Sequence, residues 1–212
     1  MYRYDGPWLL DEDGSRHDRS VTTSDETFPS TTRLTGLGLH LREWTDADLP
    51  VMVELFDDPQ FSQWTPLASP FDLSAAQAYL SRAREQRKAG RVLQLAVTTD
   101  GHAAMGEVLL ARGEEDGRHA AEIAYGIGAK HRRQRLAARA VELMTRYAHD
   151  TLAIDRVILR IAPENTASEA VARTTGFHLT DEEPIVRERL DGRSVRLRTW
   201  AYRPGNRASL AR

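Results

Sequence analysis

The chain has 212 residues, of which 41% are hydrophobic and 28% are charged, and its formal net charge at pH 7 is -2. This length and composition are typical of a soluble protein with one generous domain, or with a domain and an appendage. The near-neutral charge excludes a wholly basic nucleic-acid-binding surface, and the absence of cysteine excludes disulfides, thiolate nucleophiles and cysteine-based metal sites.

Signals for metal binding, membrane insertion and secretion are also missing from the sequence. The seven histidines are scattered without a metal-binding spacing, so we predict no metal site. No apolar run approaches the roughly 18 residues of a membrane helix, and the acidic N-terminus lacks the order of a signal peptide. We therefore expect a cytoplasmic protein that binds neither a metal ion nor a membrane.

The first part of the chain has no periodic pattern and is rich in acids, glycine and proline. We interpret residues 1–33 as an irregular N-terminal extension, residues 34–204 as the folded domain and residues 205–212 as a C-terminal tail. The apolar residues 8–10 either dock on the domain or on a second subunit, or belong to a mobile tail. The sequence therefore leaves a homodimer open as one expectation.

The folded domain is expected to begin with a strand and two helices. Residues 37–44 alternate like a strand, residues 45–58 have the spacing of an amphipathic helix, and residues 72–90 predict a second helix that ends at a glycine. Residues 61–71 contain two prolines and are predicted to form a substrate-facing loop. The aromatic residues of this region, which belong either to the core or to a recognition surface, are Trp44, Phe56, Phe61, Trp64 and Phe71.

The rest of the domain alternates strands and helices. A hairpin turn is predicted at Asp100-Gly101 and another at Asp191-Gly192. The expected elements, in chain order, are strands over residues 92–99, 103–114 and 119–128, a helix to about residue 153, a strand over 156–163, a short helix over 164–177 and a hairpin over 183–204. The order β, α, α, β, β, β, α, β, α, β, β predicts a mixed α/β fold with one shared core.

The long helix that follows the third of these strands opens with an unusual run of positive charge, KHRRQR at residues 130–135. Cations at the positive end of a helix dipole cost a few tenths to about 1 kcal/mol per exposed charge unless an anion is present. The segment therefore predicts either a site for phosphates or arginines that extend into solvent.

Residues 121–177 carry motifs that resemble the GNAT superfamily of N-acyltransferases. They are most similar to the branch that contains the enzymes acetylating ribosomal-protein N-termini and similar small-molecule enzymes. AEIAYGIG resembles the fourth-strand signature of that branch, PENTAS resembles its P-x-N-x-x-S motif, and TTGF resembles the end of its next helix. The resemblance covers about residues 37–203. It implies a central mixed sheet flanked by helices, in which the fourth and fifth strands splay apart around an acyl-thioester.

The resemblance also places the family's phosphate loop in the basic segment. That loop reads R/Q-x-x-G-x-G/A in relatives, and here Arg135 takes the position of the central glycine, so no glycine remains where the backbone approaches the phosphates. The donor is implied to be acetyl-CoA or another acyl-CoA. The residues that the resemblance assigns to donor binding are Arg132, Arg133, Arg135, Leu136, Ala137 and Asn165.

Acyl transfer to an amine needs a base for the amine and an acid for the leaving group. The candidate bases are Glu122 on the family's fourth strand and Glu107 on its third, either of which could be an ordinary strand carboxylate; His131 is a further candidate. Ser168 matches the serine of this branch and is the candidate acid, because the helix that contains it has no tyrosine. Asn165 is suited to cap that helix.

Three functions follow from these observations. The leading hypothesis is an N-acyltransferase that moves an acetyl or other acyl group from coenzyme A to a primary amine of a small molecule or peptide. The second is an aminoacyl-tRNA-dependent transferase on the same fold, in which the arginines hold RNA phosphates. The third is a non-catalytic binding protein that has lost the glycine loop.

Overall fold

The computed structural model describes residues 28–29, 31–115, 118–188 and 192–202. Within these ranges the protein has the mixed α/β fold that the sequence predicts. The strands are β1 (Arg33–Gly36), β2 (Leu39–Glu43), β3 (Val92–Thr98), β4 (Gly106–Glu115), β5 (Arg118–Ile127), β6 (Arg156–Ile161), β7 (Phe177–Leu179), β8 (Ile185–Glu188) and β9 (Ser194–Tyr202). The helices are α1 (Leu49–Phe56), α2 (Pro59–Trp64), α3 (Leu73–Lys88), α4 (Leu136–Asp150) and α5 (Thr166–Thr174).

The strands form one sheet in the order β1-β2-β3-β4-β5-β6-β9-β7, and β8 pairs with β9. Every neighbouring pair is antiparallel except β5 and β6, which correspond to the fourth and fifth strands of the family. The parallel pairing is short and ends where Glu122 lies opposite Ile158. Beyond these two residues β5 and β6 separate, which confirms the splay that the resemblance implies.

Two groups of buried side chains cover the two faces of the sheet. On the first, which we call face A, α4 and α5 pack over side chains such as Ile123 of β5. On the second, face B, α1 and α3 pack over Ala96, and Phe61 of α2 contacts Gly126. Phe28, within the predicted extension, is buried in the face A core, and the Arg112 guanidinium lies 4.4 Å from the centre of its ring.

The first half of the domain differs from the expectation in two places. The strand expected over residues 37–44 is present as β2, but it is preceded by an unpredicted strand, β1, and the turn between them places Leu37 (φ 53°) and Gly38 (φ 69°) in the left-handed region. Leucine rarely adopts that conformation, so the sequence did not indicate the turn. The loop expected over residues 61–71 contains most of α2, because the Asp58 carboxylate caps that helix and accepts hydrogen bonds from the first turn.

The other predicted elements are present with shifted ends. The antiparallel pairing of β8 with β9 confirms the final hairpin, although Asp191 of its turn lies outside the described residues. The apolar residues 8–10 and the predicted tail also lie outside them. In the part of the chain that is described, no helix is long and apolar enough to cross a membrane, and no group of three or more His, Asp or Glu side chains could hold a metal ion.

Candidate active site

A cavity of about 130 Å³ occupies the gap between β5 and β6, and we call it the splay cavity. Side chains alternate between the two faces along a strand, so the cavity contacts both faces of the sheet. Its lining residues on face A are Ile123, Tyr125, Leu159, Ile161, Asn165 and Ser168. Those on face B, or in the segments that cover it, include Trp64, Glu122, Ala124, Arg160 and Arg187, and Glu188 at the end of β8 also lines the cavity.

The start of α5 forms the face A wall of the splay cavity. The Oδ1 atom of Asn165 accepts a hydrogen bond from the backbone N–H of Ser168 at 3.1 Å, which makes Asn165 the cap of the helix. The hydroxyl of Tyr125 donates to the carbonyl oxygen of Ser168 at 3.4 Å. Burial raises the pKa of Tyr125 to about 12, so its hydroxyl keeps its proton at neutral pH. Tyr125 is not among the residues predicted from the sequence, although its place on the signature strand β5 pointed to it.

Glu122 lies in the same cavity and forms an ion pair that the sequence did not predict. Its Oε1 and Oε2 atoms accept hydrogen bonds from Nη1 and Nη2 of Arg187 at 2.9 and 2.6 Å. The side chains of Glu122 and Arg187 are only 2% and 11% exposed. This two-pronged contact ties β8 to β5 across the sheet, and both carboxylate oxygens of Glu122 are already engaged.

The structure adds a second carboxylate to this cavity. Glu188, at the end of β8, lines the cavity and is exposed to solvent. Its carboxylate has no hydrogen bond or ion pair with any residue that the structure describes. Glu188 therefore differs from Glu122, whose two carboxylate oxygens are both bonded to Arg187.

Glu107 is not part of the splay cavity. In the β4–β5 register it lies opposite Gly126, four residues along β5 from Glu122, which is about 13 Å at the rise of a strand. Its carboxyl is buried among side chains of the face B core and accepts hydrogen bonds from Trp44 Nε1 at 2.8 Å and from the Tyr79 hydroxyl at 2.5 Å. Burial raises the pKa of Glu107 to about 7. The structure therefore does not bring this candidate base together with Glu122.

The basic segment has a backbone conformation that explains how it replaces a glycine loop. Arg133 (φ 62°) and Arg135 (φ 57°) both lie in the left-handed region, where a non-glycine residue costs roughly 1–2 kcal/mol. Arg135, at the glycine position of the family's loop, thus has a conformation that favours glycine. It directly precedes α4, whose N-terminus has no side-chain cap. The N–H groups of that first turn have no acceptors within the helix.

A second cavity of about 320 Å³ lies beside this loop, and we call it the loop cavity. It is bordered by the start of α4 and by one side of α5, including Val171 and Thr174. The residues of the basic segment and α4 that line it are His131, Arg132, Arg133, Arg135, Leu136, Ala137 and Ala138. All the residues predicted to bind the donor are therefore together here except Asn165, which lines the splay cavity. Helix α5 borders both cavities.

The arginines of the loop have different surroundings. Arg132 pairs with Asp58 at 3.2 Å and also bonds to the Gln60 side chain, so it fastens the loop to the start of α2. Arg133 and Arg135 are exposed, and neither side chain has a hydrogen bond or ion pair within the described ranges. Two of the three arginines are therefore available to an anion at the loop cavity.

The aromatic residues near α1 and α2 are mostly core. Four of them are buried in the face B core, namely Trp44, Phe56, Phe61 and Phe71. The fifth, Trp64, is half-buried and lines the splay cavity. Only Trp64 of this set is therefore placed to contact a substrate there.

Comparisons with known proteins agree with this geometry. The family model described as Acetyltransferase (GNAT) domain matches residues 38–178. No curated protein matches the chain.

Solved structures with a similar fold include three acetyltransferases. RimJ of Mycobacterium smegmatis, in complex with CoA-disulfide, has a TM-score of 0.68 at 18% identity, over 81% of this chain and 85% of that one. The ribosomal-protein-S5-alanine acetyltransferase of Vibrio fischeri has a TM-score of 0.68 at 16% identity, over 82% and 98%. The microcin C7 self immunity acetyltransferase MccE, in complex with acetyl-CoA and AMP, has a TM-score of 0.67 at 18% identity, over 77% and 91%. These likenesses show a shared fold, and because the family model spans residues 38–178, the chain belongs to the GNAT family of acetyltransferases.

Proposed function

We propose that the protein transfers an acetyl or other acyl group from a coenzyme A thioester to a primary amine of a small molecule or peptide. The observation that carries this proposal is the pair of cavities that α5 borders. One lies beside the basic start of α4 and suits phosphates, and the other passes through the splay of the sheet, where an acyl group and an amine would meet.

The loop cavity has the properties that the phosphates of an acyl-CoA need. The uncapped first turn of α4 offers backbone N–H groups and the positive end of the helix dipole. The left-handed conformation of Arg133 and Arg135 supports a backbone path like that of a glycine loop, and their free guanidinium groups add charge-assisted contacts. That RimJ and MccE were solved with CoA-disulfide and acetyl-CoA also supports a coenzyme A donor.

The proposed reaction needs two proton transfers at the splay cavity. The amine nitrogen attacks the thioester carbonyl carbon, a C–N bond forms as the C–S bond breaks, the amine loses a proton and the departing thiolate gains one. We propose Ser168 as the group that supplies the proton to the thiolate. Glu122 remains the predicted acceptor of the amine proton, and Glu188 is the alternative, because its carboxylate has no partner within the described ranges.

Substituting the two carboxylates separately distinguishes these roles. Replacement of the true base by glutamine should lower kcat at neutral pH by about 10²- to 10⁴-fold with a smaller change in donor affinity. We expect this loss in one of Glu122→Gln and Glu188→Gln, measured as thiol release from acetyl-CoA. An unchanged kcat in either variant removes that residue from the role.

Calorimetry with acetyl-CoA tests the donor directly. We expect saturable binding at micromolar concentrations, and we expect Arg133→Ala combined with Arg135→Ala to weaken it. Arg196→Ala is a matched control, because Arg196 is an exposed arginine of β9 that lines neither cavity. No detectable heat at millimolar acetyl-CoA would contradict a coenzyme A donor.

The two exposed arginines of the loop also support a second candidate, an aminoacyl-tRNA-dependent transferase. In that case charged tRNA should support acyl transfer, and removing Arg133 and Arg135 should weaken it with a shallower dependence on salt. Transfer from acetyl-CoA alone that is insensitive to ribonuclease would eliminate this candidate.

A further inference from the structure

We propose that the acceptor amine carries an anionic group, a carboxylate or a phosphate, and that Arg160 binds this group in the splay cavity. The inference rests on the proposed acyl transfer at the same cavity, and it narrows the acceptor from amines in general to small amines with a negative charge.

Arg160 lies on face B of the sheet, the face opposite to the one that α4 and α5 cover. It lies on β6, two residues beyond Ile158, where the pairing of β6 with β5 ends. Its neighbours Leu159 and Ile161 belong to the face A core, so alternation along the strand puts Arg160 on face B. Glu122 and Ala124 lie on this same face, away from the start of α5.

Among the residues that the structure describes, no carboxylate forms an ion pair with Arg160. Three neighbouring arginines each have a carboxylate partner, and the pairs are Arg156 with Glu182, Arg187 with Glu122, and Arg198 with Glu169. Arg160 instead bonds through Nη1 to the Thr199 hydroxyl, and its buried Nε, like the Nε atoms of those three arginines, has no hydrogen-bond partner within the described ranges. Glu182 interacts with Arg160 electrostatically, but its ion pair is with Arg156.

The cavity therefore contains two charges that a substrate can satisfy. A guanidinium group matches the planar oxygens of a carboxylate or phosphate, so Arg160 suits an anion. The Glu188 carboxylate has no partner within the described ranges and suits an ammonium group. A volume of about 130 Å³ has room for a small amine. An amine without the anionic group leaves the remaining half-buried N–H donors of Arg160 unpaired. This cost is the basis on which the site would discriminate anionic from neutral amines.

Pairs of acceptors that differ only in the anionic group test this inference. We would compare leucine with 3-methylbutylamine for a carboxylate, and O-phosphoethanolamine with ethanolamine for a phosphate, by kcat/KM for thiol release from acetyl-CoA. The expected result is a preference of about 10- to 100-fold for the anionic member of at least one pair, the range expected for charged hydrogen bonds. The pair that shows the preference identifies the anion.

Variants of Arg160 link the preference to this side chain. Arg160→Gln should abolish it through a higher KM for the anionic member, and Arg160→Lys, which keeps the charge without the planar fork, should retain part of it. Arg196→Gln makes the same charge change on an exposed part of β9 and should leave the preference intact. Equal kcat/KM within both pairs, or a preference that survives in Arg160→Gln, would overturn the inference.

Binding of products separates this inference from the proposed function. The acetylated products are N-acetylleucine against N-(3-methylbutyl)acetamide, and N-acetyl-O-phosphoethanolamine against N-acetylethanolamine. In at least one of these pairs the anionic product should bind the resting protein more tightly, and only the wild type and the Arg196→Gln variant should show the full difference in calorimetry. This result supports the role of Arg160 even if no transfer from acetyl-CoA is found. If neutral and anionic amines are acetylated equally well, the proposed function stands and the inference is overturned. The inference is also overturned if no anionic compound of the panel is bound or acetylated.

Discussion

Arg135 takes the position of a glycine in the family's loop, and its backbone adopts a conformation that favours glycine. The sequence showed that the glycine was missing and that positive charge took its place, but it could not show that the backbone keeps a left-handed conformation there. For a residue with a Cβ atom, this conformation costs roughly 1–2 kcal/mol. The structure thus indicates that strain is tolerated next to α4, at the position where the guanidinium is available to an anion.

Two substitutions of Arg135 separate strain from charge. Arg135→Gly should raise the free energy of unfolding by about 1 kcal/mol, because glycine adopts positive φ without steric cost. Arg135→Ala removes the same charge but keeps the Cβ atom, so it should lack the gain that comes from relief of the strain and be about 1 kcal/mol less stable than Arg135→Gly. If the side chain binds phosphate, both variants should weaken acetyl-CoA binding by a similar factor. Urea denaturation and calorimetry measure the two effects, and a glycine variant no more stable than the alanine variant contradicts the strain.

Glu107 should make stability depend on pH. Burial raises the pKa of this carboxyl from 4.5 to about 7, so the folded state holds the proton more tightly than the unfolded state. Its contribution is therefore fully present below about pH 4.5 and is lost as the pH rises through about 7. Glutamine does not titrate, so Glu107→Gln should become more stable relative to wild type as the pH rises. The difference in free energy of unfolding between the variant and wild type should increase by about 1–3 kcal/mol from about pH 5 to about pH 8. Urea denaturation measures this, and an equal effect at both pH values argues against it.

At the scale of elements, the β8–β9 hairpin completes the wall of the splay cavity. β9 pairs with β6 and β7 through its second half and with β8 through its first half. The Arg187–Glu122 ion pair then holds β8 against β5. Alternation in the sequence predicted this hairpin, but not an ion pair between residues that are 65 positions apart. Local patterns carry no information about such a contact.

The buried ion pair should make substitutions of its two members strongly non-additive. Arg187→Met leaves the Glu122 carboxylate buried without its cation and should cost about 3–5 kcal/mol of unfolding free energy. Adding Glu122→Leu should recover much of that loss, because the unpaired charge is then gone. A double-mutant cycle by urea denaturation measures the coupling. Additive effects of the two substitutions would show that the ion pair does not hold the hairpin.

At the scale of the whole molecule, the family motifs predicted the fold, and they grouped most of the residues that we propose to bind the donor. Residues 132–137 are contiguous in the sequence, so a single motif was enough to group them beside the loop cavity. The proposed acceptor side is different, because Arg160 reaches the cavity from β6, whereas Arg187 and Glu188 reach it from β8. No spacing in the sequence relates these strands to β5, and only the topology of the sheet brings them together.

The most direct test of this account is the release of free coenzyme A thiol from acetyl-CoA by the full-length protein, with and without a panel of small amines. We predict release that depends on the amine and matches formation of the acetylated amine in equal amounts, with Ser168→Ala reducing the rate. The absence of amine-dependent release across neutral, carboxylate-bearing and phosphate-bearing amines, with a folded protein and saturating acetyl-CoA, would contradict it.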